Sequence, residues 1–207
     1  MYRTVRRAAR ENGLAHALTE LCGEALPGVL PCGPGGHAVV PAAVAAEADR
    51  IWQDGRVYDR ATGEEEVLRR GGPLVTLRHR PGGRAESVDH GGWALGLVWL
   101  RLGLSESLLD ACVHYLGSRA CGDSTVLRQQ LVKGAVADVV MEQLEVYAAL
   151  TGVGAPGPAH LHQQLTVADR ALLRLLGAAG YLAGGDGETA YLSEVLAEAY
   201  IPMEVAP

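Results

Sequence analysis

Phenylalanine is absent from this 207-residue chain, and aromatic residues make up only 5% of it. The hydrophobic core must therefore be built from leucine, valine and alanine. Alanine and leucine are strong helix formers, so the composition favours a bundle of helices. Because 48% of the residues are hydrophobic, the chain can bury a sizeable core and does not have the composition of a disordered protein.

Metal-binding and membrane signals are also missing. No two of the four cysteines form a CxxC pair of the kind that holds a metal ion. No secretory apolar segment follows Met1, and charged residues interrupt each apolar run before it reaches spanning length. We therefore expect a cytoplasmic protein with reduced thiols, no metal and no membrane partner.

An excess of positive charge is lacking too. The formal net charge is −6, which argues against nucleic acid as the main partner. One basic cluster stands near the start of the chain, at Arg3, Arg6, Arg7 and Arg10. We interpret it as the solvated face of a helix.

Hydrophobic periodicity predicts a mainly α fold. The expected helices cover residues 3–25 (broken near Gly13), 41–52, 92–118 (as one helix or as two with a break near Gly103), 124–151, 160–178 and 188–200. Short apolar runs at 57–58, 66–68 and 73–77 predict a β-hairpin lying on the helices. The sequence thus predicts a reduced N-terminal region of helices plus a short hairpin (1–89), followed by an antiparallel four-helix bundle (90–207).

The corner between the second and third long helices carries the main functional signal. Arg119 ends one predicted helix, and Gln130 lies early in the next. An arginine and a glutamine beside a helix corner can bind an anion or simply cap a helix. Asp138, further along the same helix among valines and alanines, predicts a buried carboxylate that either pairs with a basic residue or acts chemically.

Two other motifs have plain interpretations. The glycine-rich segment 31–36 lacks a following Gly-Lys-Ser/Thr, so we interpret it as a linker and not as a phosphate loop. His160 and His162 are two residues apart, and on a helix such side chains point in different directions. A shared metal ion is therefore not predicted.

The second half of the chain, about residues 90–201, resembles the C-terminal helical domain of acyl-CoA dehydrogenases. Three patches carry the resemblance in the family's order. They are Gly103-Leu104 with Leu109-Asp110, Tyr115 and Ser118-Arg119; Gln130-Leu131-Val132 with Ala137-Asp138; and Ala168-Asp169 with Ala171-Leu172 and Gly177-Ala178-Ala179-Gly180-Tyr181-Leu182. The first is similar to the family's S-R-x-x-F-G motif, and the last is similar to its GGxGY turn.

The resemblance implies a flavin cofactor. Members of the family hold FAD at a subunit interface, remove a proton beside a thioester carbonyl and pass a hydride from the next carbon to the flavin. Arg119 and Gln130 match family residues that bind the dinucleotide, partly across to the neighbouring subunit. Arg174, Gly177 and Gly180 complete the candidate cofactor-binding set, since an arginine suits a pyrophosphate and glycines allow close backbone approach.

Several positions depart from the family pattern. Gly122 replaces the aromatic residue of S-R-x-x-F-G, and Asp123 replaces its glycine, which adds a negative charge where a pyrophosphate would lie. Arg174 stands where the family has glutamine. Residues 1–90 are too few for both the family's N-terminal helical domain and the sheet domain that walls its flavin ring. Glu204 falls near the position of the family's catalytic base but does not match it, so the catalytic residue stays unknown.

These observations leave three hypotheses. The first is a shortened acyl-CoA-dehydrogenase-like subunit or accessory of a flavin-dependent acyl oxidation or tailoring system, for example in specialised metabolism. It would act on an acyl thioester, with FAD held by this chain or shared with a partner chain. The second is a redox-silent helical scaffold or interaction module that has lost FAD. The third is a non-redox acyl-modifying protein.

The broad apolar surfaces of helices 92–118 and 124–151 predict an oligomer in every case. The partner would be a second copy or another acyl-CoA-dehydrogenase-like chain.

Overall fold

Helices dominate the architecture, as the periodicity predicted. The computed structural model describes residues 2–87, 92–152, 156–182 and 185–201. The helices are α1 (Arg3–Asn12), α2 (Leu14–Ala25), α3 (Ala42–Glu47), α4 (Gly92–Ser118), α5 (Gln130–Thr151), α6 (Pro158–Leu176) and α7 (Asp186–Tyr200). Short 3-10 turns occupy Arg60–Thr62, Val126–Arg128 and Gly177–Tyr181.

Helices α4 to α7 form the bundle. Gln143 of α5 donates a 2.9 Å hydrogen bond to Ser105 of α4, and Arg170 of α6 pairs with Glu194 of α7. The predicted helix over 124–151 begins later, at Gln130. A small hairpin of β8 (Ala120–Cys121) and β9 (Ser124–Thr125) precedes it, because Gly122 adopts the positive φ of 60° that a tight turn needs.

The β region is larger than the predicted hairpin. It contains β1 (Val29–Cys32), β2 (His37–Pro41), β3 (Arg50–Gln53), β4 (Arg56–Asp59), β5 (Glu64–Gly71), β6 (Leu74–Arg80) and β7 (Glu86–Ser87). One sheet has the order β1-β3-β4-β7 and the other β2-β6-β5. The predicted helix 41–52 is cut to α3, because Arg50–Gln53 pairs in parallel with Val29–Cys32. Such pairing joins segments distant in sequence, which local periodicity does not report.

The strands pack directly on the last helix of the bundle. The Tyr200 hydroxyl accepts a 2.9 Å hydrogen bond from the Val39 amide and donates a 3.0 Å bond to the Val39 carbonyl. A Cβ at Gly33 would collide with the carbonyl oxygen of Ala199. Strand β2 is an edge strand, so Tyr200 satisfies backbone groups that no neighbouring strand pairs. The strands and the bundle therefore pack directly on each other here and leave no gap between them.

Helix α1 lies along α4 and covers it. Arg6 forms an ion pair with Glu106, and Arg10 donates a 2.7 Å hydrogen bond to Asp110. The basic cluster is thus only partly a solvated face, because two of its arginines bind carboxylates of α4. These contacts cover part of α4.

Helix α5 has an exposed outer face instead. Asp138 lies on that face and is exposed, so the prediction of a buried carboxylate is wrong for this chain. The valines that surround it in sequence turn to other sides of the helix. Within the described ranges, every helix falls short of the length or the apolar character that crossing a bilayer would require.

The Tyr200 contact generates a first prediction. Tyr200→Phe removes the hydroxyl and leaves the buried backbone groups of Val39 unpaired. We expect the free energy of unfolding to fall by about 1–3 kcal/mol, the usual cost of a buried unsatisfied group. Urea denaturation measures the change. Tyr191→Phe is the matched control, since Tyr191 is 65% exposed and its hydroxyl should contribute little; equal losses in the two variants would refute the proposed role of Tyr200.

Candidate functional site

One end of the bundle gathers all the predicted cofactor-binding residues. Side-chain hydrogen bonds join Arg101 to Ser193, Cys112 to the carbonyl of Leu172, and Gln143 to Ser105. This register places the end of α4, the start of α5 and the end of α6 at one end of the bundle, whereas the start of α7 lies beside Leu104 and Leu108, nearer the middle of α4. Arg119, Gln130, Arg174, Gly177 and Gly180 therefore belong to the same end of the molecule.

Arg119 is exposed and lies beside an aromatic ring. Its Nη1 donates a 2.5 Å hydrogen bond to the hydroxyl of Tyr115, and its guanidinium carbon lies 5.3 Å from the centre of the Tyr115 ring. Among the described residues, no carboxylate forms an ion pair with Arg119, and this includes the nearby Asp123. The guanidinium thus keeps donors that an anion could use.

Gln130 is the first residue of α5 and is also exposed. The helix start has no side-chain cap and no acidic residue in its first turn, so its free amide groups remain a partial positive charge. Arg128 and Lys133 are exposed on either side. We call Arg119, Arg128, Gln130 and Lys133 the cationic corner. Asp123 is the one carboxylate in this segment of the sequence, so the corner keeps a net positive charge.

Arg174 and Gly180 line a neighbouring open groove of about 540 Å³ between α6 and α7. Its other walls include Tyr181, Leu182 and Tyr191, which are 77%, 65% and 65% exposed. Two tyrosine rings and an arginine suit a planar group, and the carboxylates Glu188 and Glu194 also line the groove. Arg119 and Gln130 are not among the residues that line this groove.

The two predicted glycines have structural roles. Gly177 ends α6 with a positive φ of 58°, and its amide bonds back to the last turn of the helix. Gly180 is buried, and its carbonyl lies so close to Gly187 that a Cβ there would collide with it. These roles explain both glycines without a ligand and leave cofactor contact at Gly177 open, since nothing lies within 4 Å of its Cβ position.

No catalytic base can be assigned. Glu204 lies outside the described residues. In the part of the chain that the structure describes, no three His, Cys, Asp or Glu side chains form a group that could hold a metal ion. His160 is exposed whereas His162 is buried, so the two rings point apart as their spacing predicted.

Sequence reasoning missed a buried polar network in the middle of the bundle. Arg101 is fully buried and donates hydrogen bonds of 2.9 Å to Ser193, 3.0 Å to the His162 carbonyl and 2.9 Å to Thr166. Its Nη2 also lies 4.0 Å from a carboxylate oxygen of Asp169. The signal was present in the sequence, since Arg101 is a single charge within a long apolar run.

Burial shifts the pKa values of His162 and Asp169, the two titratable partners of Arg101, in opposite directions. Burial and the adjacent guanidinium lower the pKa of His162 to about 3. Arg101 can only donate, so the Nδ1 atom that it contacts at 3.2 Å must accept, and the ring proton lies on Nε2. Burial raises the pKa of Asp169 to about 6, although Arg101 and a hydrogen bond from Ser105 oppose the shift.

Comparison with known proteins identifies the fold. No family model matches the sequence, and no curated protein matches it. Solved structures do match. One, described as the Tcur3481-Tcur3483 steroid ACAD G363A variant, aligns with 94% of this chain and 69% of its own, at 15% identity and a TM-score of 0.60. Since that match covers nearly the whole chain, it extends to the strands as well as to the helices.

Two further structures agree. A structure described as FkbI for biosynthesis of the methoxymalonyl extender unit of the polyketide Fk520 matches over 83% of this chain at 19% identity and a TM-score of 0.54. A glutaryl-CoA dehydrogenase from Mycobacterium smegmatis, in complex with FADH2, matches over 82% at 14% identity and a TM-score of 0.53. This chain spans 60% and 56% of their lengths. The chain therefore has the acyl-CoA dehydrogenase fold and spans part of the length of these structures.

The opposite pKa shifts of His162 and Asp169 generate a second prediction. Between about pH 4 and 6 the unfolded chain binds a proton at His162 that the folded chain does not, so stability falls as the pH falls. Over the same window the folded chain binds a proton at Asp169 that the unfolded chain does not, so stability rises as the pH falls. The two contributions offset each other in the unaltered protein.

Asp169→Asn removes the second contribution. We expect its free energy of unfolding, relative to that of the unaltered protein, to decrease by up to about 1.4 kcal/mol for each unit that the pH falls in this window. His162→Asn should show the opposite relative slope. Urea denaturation at several pH values tests both variants; parallel pH profiles for all three proteins would contradict these assignments.

Proposed function

We propose that this chain is a shortened acyl-CoA-dehydrogenase-like subunit or accessory of a flavin-dependent acyl oxidation or tailoring system. The observation that carries the proposal is the common location of Arg119, Gln130 and Arg174 at one end of the bundle. That end combines the exposed guanidinium of Arg119, which forms no ion pair among the described residues, an uncapped helix start and a groove with aromatic walls. A dinucleotide offers the complementary chemistry, a pyrophosphate beside a planar ring.

The residues at this end fit the anionic part of FAD. In this proposal Arg119 and the first amides of α5 hold the pyrophosphate, while Arg174 and the tyrosines of the groove contact the rest of the dinucleotide. When bound, FAD would supply hydride acceptance from the carbon chain of an acyl thioester. This proposal assigns no base for the accompanying proton.

The flavin ring does not fit between the strands and the bundle at the contact of β2 with α7. Tyr200 is 5% exposed and bonded to Val39, and Gly33 packs against Ala199 without room for a side chain. In the family that this chain resembles, the sheet domain walls the ring. We therefore propose that a second chain forms that wall, either another copy or an acyl-CoA-dehydrogenase-like partner.

A second candidate function is a redox-silent scaffold or interaction module. The same closed contact favours it, together with Asp123 in the exposed hairpin beside Arg119. In this case the bundle would be kept for binding a partner, and the cationic corner would be an ordinary solvated surface. Flavin binding separates the two candidates.

Flavin retention is the third prediction. We expect the protein, purified alone or with a co-purifying chain, to retain or take up FAD, seen as flavin absorbance and as quenched fluorescence on titration. Arg119→Ala removes a charge-assisted contact to phosphate, worth about 1.5–3 kcal/mol, and should weaken FAD binding roughly 10-fold or more. Arg69→Ala is the matched control, because Arg69 is an exposed arginine of strand β5.

Two results would decide against the flavin proposal. One is an absence of FAD binding by the protein both alone and with its co-purifying chain. The other is equal FAD affinity in Arg119→Ala and the unaltered protein. The first would leave the scaffold function, and the second would move the binding site away from the cationic corner.

A further inference from the structure

A small cavity of about 230 Å³ lies where α1, α4, α6 and α7 meet, and we call it the Asp169 cavity. Its lining includes the buried apolar side chains of Ala9, Leu104, Leu108 and Ala190 and the half-buried hydroxyls of Ser107 and Thr189. It shares no lining residue with the groove of Arg174 and the tyrosines or with the cationic corner. It is therefore a separate candidate site.

Asp169 of α6 brings a carboxylate to this cavity that is almost completely removed from water. The residue is 5% exposed. Its Oδ2 lies 4.0 Å from Nη2 of Arg101, whereas its Oδ1 is buried and has no hydrogen-bond partner among the described residues. A buried oxygen of this kind is costly, because nothing in the protein replaces the hydrogen bonds that water would give it. A ligand that donates a hydrogen bond to Oδ1 would remove that cost.

The carboxyl group of Asp169 is mostly ionised at neutral pH, since burial raises its pKa to about 6 and no further. An ionised carboxylate can only accept hydrogen bonds, so its partner must carry N–H or O–H donors. Hydrogen bonds to a charged acceptor are about twice as strong when the donor is charged as well. The buried oxygen therefore favours a positively charged donor.

The mouth of the cavity also favours positive charge. Exposed carboxylates of Glu11 and Asp186 line it. Arg10 is the basic residue among its lining residues, but Arg10 donates a 2.7 Å hydrogen bond to Asp110 and lies 4.0 Å from Glu106. The positive charge of Arg10 is thus already paired with carboxylates that do not line the cavity.

Two further positive groups lie nearby, and both are offset. Arg101 partly balances the charge of Asp169, but its own donors bind Ser193, Thr166 and the His162 carbonyl. The start of α7 borders the cavity, and free amides at a helix start carry a partial positive charge. Acidic residues in the first turn of α7, Asp186 among them, offset that charge. The cavity therefore keeps an excess of negative charge.

The volume of the cavity limits the size of its ligand. A water molecule occupies about 30 Å³ in the liquid, so about 230 Å³ corresponds to roughly seven or eight waters. A ligand with a similar number of non-hydrogen atoms would fill the cavity. Leu104 and Leu108 suit a short hydrocarbon chain, whereas the hydroxyls of Ser107 and Thr189 can accept further N–H bonds.

We propose that the Asp169 cavity binds a small organic cation that carries a primary ammonium group and a short hydrocarbon chain. The ammonium donates a hydrogen bond to Oδ1 of Asp169, and its other N–H groups face the hydroxyls of Ser107 and Thr189. The hydrocarbon chain packs against Leu104 and Leu108. This inference does not depend on flavin binding, because the cavity and the proposed flavin site have no residue in common.

Ligand selectivity gives the fourth prediction. Butylammonium is the probe, and an NMR titration of the nitrogen-15-labelled protein at neutral pH and constant ionic strength measures its dissociation constant. We expect a value on the order of millimolar, because so small a ligand makes few contacts. The amide shifts should centre on Ser107, Thr189 and Ala190. Two comparison ligands, n-butanol without the charge and tetramethylammonium without an N–H donor, should each bind at least about fivefold more weakly.

Variants of the cavity test the same site. Asp169→Asn removes the charged acceptor and should weaken butylammonium binding at least about 10-fold. Because this change also alters the Arg101 network, Ser107→Leu provides an independent test by filling the cavity from a half-buried position, with a similar loss expected. Asp186→Asn removes one exposed charge and should weaken binding about two- to fivefold. Asp138→Asn is the matched control, since Asp138 is exposed on α5 and does not line the cavity.

Urea denaturation confirms that each variant is folded before its affinity is compared. Three results would overturn the proposal. One is an absence of amide shifts around the cavity at butylammonium concentrations far above millimolar. Another is equal affinity for butylammonium and n-butanol, which would show an apolar cavity without preference for a cation. The third is unchanged affinity in both Asp169→Asn and Ser107→Leu, which would place the bound cation elsewhere on the acidic surface.

Discussion

A fully buried arginine sets the register of the helical bundle. Removing a guanidinium from water costs several kcal/mol unless its donors are satisfied. Arg101 of α4 finds its acceptors on α6 and α7, through His162, Thr166 and Ser193. The three helices must therefore stand at one relative height, because sliding any of them would leave buried donors without partners. Leucine and alanine packing alone tolerates more variation in register.

The register determines what the molecule presents at its end. With α4, α6 and α7 held at one height, the uncapped start of α5 lies beside the last turn of α4 and the end of α6. The cationic corner and the groove lined by Arg174 and the tyrosines thus lie at the same end of the bundle, although no residue of the corner lines the groove. On the other side of α7, the hydrogen bond between Tyr200 and Val39 holds the strands directly against the bundle, so no gap remains between them there. A positively charged end and a closed strand contact together are the basis for proposing a cofactor site that is shared with a partner chain.

Coverage differs between the two long apolar helices, and this difference limits where a partner can bind. Helix α4 is covered within the chain, since α1 lies along it with Arg6 and Arg10 bonded to its carboxylates. Helix α5 receives cover on one side only. The sequence prediction of an oligomer drew on both helices equally, but the exposed apolar surface is concentrated on α5. A partner chain that completes the site would therefore meet the molecule next to Gln130.

Local patterns were sufficient for the type of fold and for most of the long helices. The 3.6-residue spacing of leucine and alanine predicted helix over 92–118 and the break at Gly13, because each depends only on residues within a few turns. The sheets were predicted in part. Leu74–Arg80 has the alternation of a strand, whereas Val29–Cys32 is recognisable only through its partner Arg50–Gln53. The candidate residues Arg119, Gln130 and Arg174 came from motifs, and no motif indicated that they share one end.

The sequence by itself determined which segments are helical and which residues could carry charge chemistry, since both follow from neighbours along the chain. The tertiary structure alone decided which of these residues are buried. Asp138 lies among valines in sequence but faces outward, and Arg101 lies in the bundle centre with acceptors from two other helices. Burial depends on the elements that cover a residue, and those elements come from distant parts of the chain.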